Sequence, residues 1–195
     1  MEGYNRYDKY KIARDKAWDA LINSGITELP VNLKKVAGAY GIYVYSYKSA
    51  VNHGLIDRKE AAGDRFSKVI DNRKYIFVSN VKADGEVRFD IASEIGHFML
   101  GHKICGRPQA RKKFGRNDYE AYIFARDLLM PAVVLHGLGI TSADKIQQLC
   151  NVSKEIAQKR ADRMLELSER NKFNVHPSER KIGEQFEKFI HEYNE

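Results

Sequence analysis

Cysteine is nearly absent from this 195-residue chain: Cys105 and Cys150 are its two, too few for a disulfide framework or a cysteine-rich metal site. No apolar run approaches the length needed to span a bilayer. The stretch from Met1 to Tyr10 lacks the apolar core of a secretory signal. Internal repeats are missing too. These absences point to a cytoplasmic protein without membrane contact. The composition is that of an ordinary globular domain: 43% hydrophobic, 30% charged and 11% aromatic, which excludes wholesale disorder. The length suits one core, or one domain with a small appendage.

Acids are missing from one stretch in particular. Lys103, Arg107, Arg111, Lys112, Lys113 and Arg116 follow one another without an intervening carboxylate, in a chain of formal net charge +7. Such a run is either a solvated loop or an electropositive rim for an acidic segment or for phosphate.

Hydrophobic spacing sets out the elements. Ile12, Ala13, Ala17, Trp18, Ala20 and Leu21 predict an amphipathic helix from about Asp8 to Asn23, and Leu29-Pro30 breaks it. Leu33, Val36, Ala37 and Tyr40 predict a second helix, ended by Gly41. Ile42 to Tyr47 is rich in β-branched and aromatic residues and reads as a strand. Lys48 to Asp64 reads as a loop, and Val69-Ile70 with Tyr75 to Val78 as a hairpin. A turn at Ala83-Asp84-Gly85 precedes a helix from about Glu86 to Leu100. Tyr119 to Met130 forms another, closed by Pro131. Beyond it, Thr141, Ser142 and Asp144 offer N-cap chemistry. Ile146, Leu149, Cys150, Val152, Ile156, Ala157, Ala161 and Met164 then carry a helical core pattern to about Leu167. The last stretch, from Asn171, reads as a linker and a terminal helix bearing Phe186, Phe189 and Ile190. Helices, a small sheet and helices again give an α+β domain.

The helix before Gly101 carries the chemistry. Ser93, Glu94 and His97 stand at the spacing of an H-E-x-x-H motif with serine in place of the first histidine. In that motif two histidines four residues apart share a helix face and hold one metal ion, and the glutamate is general base on the metal-bound water. A neutral serine hydroxyl is a poor zinc ligand. His102, five residues beyond His97, falls on a different side of the helix by spacing and reads as a local polar contact. His53, His136, His176 and His191 are distant in sequence.

Two longer signatures carry a family resemblance. Arg88 to His102 reads R-F-D-I-A-S-E-I-G-H-F-M-L-G-H, and Asp118 to Pro131 reads D-Y-E-A-Y-I-F-A-R-D-L-L-M-P. In this order, with a short loop between, they resemble the ImmA/IrrE family of metallopeptidases. That family commonly shows R-F-T-[IL]-A-H-E-[IL]-G-H and then E-x-x-A-[ND]-x-F-A-x-x-L-L-[ML]-P. The resemblance covers about Leu29 to Leu167 and implies a zincin-like fold. It implies a division into an N-terminal helical segment (1–28), a metallopeptidase-like domain (29–167) and a C-terminal tail or helix (168–195).

Carried over position by position, the resemblance makes Glu94 the general base and His97 a zinc ligand. Ser93 falls on the first-ligand position, and Asp118 on that of the third, a glutamate in the family. Glu120 is a possible substitute, though two residues along a helix it faces elsewhere. With His97 and one carboxylate the zinc site is degenerate, so zinc should be weak or absent. Members of the family cleave DNA-binding repressors or regulators in mobile-element and stress switches, so the implied partner is such a regulator. Three readings follow: a zinc peptidase with a compensating ligand, an inactive module that binds its partner, or a DNA-binding regulator. The last would use the helix-turn-helix-like helices over 142–167, with Lys154, Lys159, Arg160 and Arg163 for phosphates.

Overall fold

The computed structural model describes residues 2–79, 81, 84–106 and 115–195, with the backbone alone over 2–9. Ala83 of the expected turn, and Arg107, Arg111, Lys112 and Lys113 of the basic run, lie outside the described residues. The elements run α1 (Glu2–Asn23), α2 (Leu33–Ala39), β1 (Ile42–Ser46), α3 (Tyr47–Asn52), β2 (Arg65–Ile70) and β3 (Arg73–Val78). They continue with α4 (Asp84–Met99), α5 (Arg116–Leu129), α6 (Ala132–Gly137), α7 (Ala143–Cys150), α8 (Lys154–Glu169), α9 (Pro177–Gln185) and α10 (Glu187–Asn194). This is the expected α+β class, mainly helical with a small sheet. Among the described residues, no helix is long and apolar enough to cross a membrane.

The sheet has three strands in the order β1-β3-β2. β3 pairs parallel with β1 and antiparallel with β2, placing Arg65 opposite Val78, Phe66 opposite Phe77 and Ser67 opposite Ile76. Asp71 and Asn72, at φ of 47° and 60°, make the tight turn between β2 and β3. Two consecutive left-handed residues match the strand twist there.

Strand alternation divides the side chains between two layers. Tyr75 and Phe77 of β3 join Phe66, Tyr47, Ala50 and Ile56 in a small outer cluster. Ile76 and Val78 point the other way, into the main core with Ala92, Ile95, Phe124 and Leu128. Arg65 and Ser67, opposite Val78 and Ile76, therefore share the sheet face that looks towards α4. The main core also takes in Ala17, Trp18 and Leu21 of α1 and Ile182 and Phe186 near the C-terminus. Each fully buried Leu or Phe there contributes about 1.5–3 kcal/mol.

α4 and α5 pack closely because Gly96 sits between them. A Cβ at Gly96 would lie 2.9 Å from Phe124 Cδ1, so only glycine fits without a shift. This close approach brings the two signature segments side by side.

Several element boundaries differ from the sequence reading. β2 begins at Arg65 and not at Val69, and α3 occupies the start of the expected loop, its N-cap Ser46 accepting a hydrogen bond from Ser49 N at 3.3 Å. Asp84 and Gly85 belong to α4 and not to a turn. Pro131 ends α5 but also opens α6 as its N-cap, and the C-terminal stretch holds two helices that meet at the buried Phe186.

Candidate functional site

Asp90, Ser93, Glu94 and His97 recur along α4 at intervals of three and four residues, so they share one helix face. That face lies between the sheet and α5, and Asp90, Ser93 and Glu94 are buried. Ser93 is only 3% exposed, and its hydroxyl donates to the carbonyl of Phe89 at 2.8 Å. This is the usual back-bond of a mid-helix serine. Its proton is committed to the helix backbone.

The structure brings His97 and Asp118 together. His97 Nε2 lies 3.8 Å from Asp118 Oδ1, and the other carboxylate oxygen, Oδ2, accepts from Gly115 N at 2.8 Å, capping α5. His102 is also there, contrary to the position that helical spacing gave it. Gly101, at φ 67°, ends the helix and turns the chain back. His102 Nδ1 then comes within 2.9 Å of His97 Nδ1, and its Nε2 within 3.2 Å of Glu120 Oε2. Glu120 is the partner of His102. Burial disfavours the charged imidazolium and holds the His97 pKa below its ordinary value. The Glu94 and Asp118 carboxylates oppose that shift, and His102 and Arg65 reinforce it.

The base position of the motif is engaged as well. Glu94 Oε1 accepts from Arg65 Nε at 3.0 Å, and Oε2 accepts from the Ser67 hydroxyl at 2.5 Å. The same guanidinium donates through Nη1 to Asp90 Oδ1. Sequence reasoning did not single out Arg65 or Ser67, and marked Asp90 only as a departure from the family's pattern. A signal was available: Asp90 stands one turn before Glu94, and two carboxylates so placed and buried need a cation. Nearby, burial followed by the Asp64, Glu94 and Asp90 carboxylates pushes the Tyr47 phenol up to about 12.

Whether these residues suit a catalytic zinc ion is a question of donor directions. Such an ion takes three protein ligands converging on one point, plus water. The two nitrogens of the His97 ring point to opposite edges, one towards Asp118 and one towards His102, so those neighbours do not converge. Ser93 supplies no nitrogen, and Glu94 is turned to Arg65 and Ser67. Among the described residues, no three His, Cys, Asp or Glu side chains are grouped to hold a metal ion. Of the positions that the resemblance makes ligands, His97 Nε2 and Asp118 Oδ1 face each other. The donor set does not fit a three-ligand zinc centre.

The other histidines are engaged elsewhere: His53 contacts the Ser49 carbonyl, His136 stacks on Phe173, His176 caps α9 and His191 pairs with Glu195. The bases offered for phosphate contact are in varied states. Arg160 is 1% exposed and bonds to Asp127 Oδ1 at 3.0 Å inside the core, so it is withdrawn from any surface. Lys159 and Arg163 pair with Glu155 and Glu166 along their own helix, and Lys154 lies 3.8 Å from Asp144.

The family model of the IrrE N-terminal-like domain, peptidase M78, matches residues 37–162, more than half of the chain. No curated protein matches it. The matched span holds the sheet, the α4 face with Ser93, Glu94 and His97, and the α5 segment with Asp118 and Glu120; the chain belongs to the IrrE N-terminal-like family of M78 peptidases.

Proposed function

We propose that this protein keeps the peptidase scaffold of its family but acts by binding a protein partner, with a degenerate zinc site that holds the metal weakly or not at all. The partner class is a DNA-binding repressor or regulator, of the kind that ImmA/IrrE proteins act on in mobile-element and stress switches. The observation that carries this reading is the state of the motif face: the hydroxyl of Ser93 is bonded to the Phe89 carbonyl where a ligand nitrogen is needed. Glu94 supports it, because both its oxygens are turned to the sheet, one on Arg65 and one on Ser67, and each spends a lone pair there.

In this reading His97 and Asp118 are what remains of the ligand set, and Glu120 serves to anchor His102. The withdrawal of Arg160 into the core weighs against direct DNA contact through α8. The test is co-expression with whichever DNA-binding regulator the flanking genes encode. A stable complex with the regulator uncut, with or without added zinc, is expected. Zinc-dependent cleavage that is lost in Glu94→Gln would overturn the reading in favour of an active peptidase.

A further inference from the structure

Two carboxylates on one turn of a buried helix face repel each other and lose hydration; neither tolerates that without a counter-charge. Asp90 and Glu94 are placed so, and both are buried. In a metallopeptidase the nearby cation would be the metal ion. Here Arg65 of β2 bonds to both of them. Its position follows from the sheet: Arg65 and Ser67 stand two residues apart on the strand face turned to α4, and Phe66 between them belongs to the outer cluster.

We infer that Arg65 is the resident cation of this cleft, a guanidinium fixed on the Asp90–Glu94 pair where the family scaffold would carry a metal ion beside its glutamate. Three features then belong together. Ser93 removes a metal ligand. Asp90 adds a second carboxylate. Arg65 offsets one of the two negative charges and, with Ser67, turns Glu94 towards the sheet. Arg65 is a positioning residue: it acts through Glu94 and through the electrostatic field of the cleft, and a fixed positive charge there opposes the entry of a divalent cation. Restoring the missing histidine is therefore insufficient to rebuild a metal site. This inference concerns the chain's own residues and does not depend on the partner, so it can fail while the binding reading stands.

The test has two arms. The first is zinc affinity, read by calorimetry with zinc chloride alone, in Ser93→His and in Ser93→His with Arg65→Gln. The double variant should bind zinc at least about tenfold more tightly than the single one. Tight stoichiometric zinc in Ser93→His with Arg65 in place would overturn the inference, as would equal affinity in both. The second arm is thermal stability, which stays informative if the double variant folds poorly. Arg65→Gln should lower the midpoint. Neutralising the stranded pair as well, with Asp90→Asn and Glu94→Gln, should raise it again towards the parent. A triple variant no more stable than Arg65→Gln would show that Arg65 does not balance those charges, and would refute the inference.

Discussion

His97 and His102 face each other Nδ1 to Nδ1 at 2.9 Å, so one of these two nitrogens donates and the other accepts. If each ring carries one N–H, the outer nitrogens decide which one donates. His102 needs its own on Nε2, which faces the Glu120 carboxylate at 3.2 Å. The proton between the rings is then on His97 Nδ1, leaving a bare lone pair on His97 Nε2. The 3.8 Å gap to Asp118 Oδ1, too long for a hydrogen bond, agrees with that assignment. His97 is thus held in the tautomer a metal ligand needs, with too few companions to make a centre.

That relay gives the first prediction. His102→Ala leaves Glu120 without its imidazole partner and His97 Nδ1–H without an acceptor. Urea denaturation should show a loss of about 1–3 kcal/mol. Nitrogen NMR of the parent should report a protonated Nδ1 and an unprotonated Nε2 on His97. The reverse pattern would break the proton assignment.

The second prediction concerns the ion cluster behind the site. Asp127 is buried between Arg126 and Arg160, accepting at 2.6 Å and 3.0 Å, and both guanidinium groups hold its carboxyl below the usual carboxylate range despite burial. Asp127→Ala would strand two buried cations. The expected cost is about 3–5 kcal/mol, read as a fall in the urea midpoint. Replacing Asp127 and Arg160 together by apolar residues should cost less than Asp127→Ala, since the stranded charge is the main penalty.

A third prediction follows from the close approach of α4 and α5. Gly96→Ala places a methyl 2.9 Å from Phe124 Cδ1. Either the ring or the helix must shift, at about 1–3 kcal/mol. Because that packing brings His97 to Asp118, the variant should also lose whatever weak zinc binding the parent has. Parent-like stability with unchanged zinc binding would show that the interface is slack.

The two cysteines should behave as opposites. Cys105 is exposed, whereas Cys150 is buried and burial pushes its thiol up to about 12. Iodoacetamide at mildly alkaline pH should modify Cys105 alone in the folded protein and both residues in denaturant. The linkage has a definite sign. With the folded value raised above the unfolded one of about 8.5, Cys150 contributes stability that is present below that pH. It is lost as pH rises from there towards about 12. Cys150→Ala should flatten that part of the stability–pH curve.

Much of this arrangement was legible in the residues, for local reasons. Ile42 to Ser46 declares a strand by its β-branched and aromatic content, and the α4 and α5 signatures carry long apolar patterns. The missed features have local reasons too. Arg65 and Ser67 precede the apolar part of β2, where only Phe66 gives an alternation signal, so the strand seemed to start at Val69. The short helix α3 has six residues, too few for a period to emerge. Helical spacing puts His102 on another face because it takes no account of Gly101, where the left-handed backbone reverses the chain. The two carboxylates of α4 could be seen in the sequence, but their cation comes from a strand 25 residues away, counted from Arg65 to Asp90.

A motif face that is no catalytic metal centre leaves its mark in the zinc content per chain. The native protein, purified without chelator and dialysed against a mild one, should retain far less than one zinc ion per chain by atomic emission. One ion per chain surviving that dialysis would contradict the account, because it would require a third converging ligand beside His97 and Asp118.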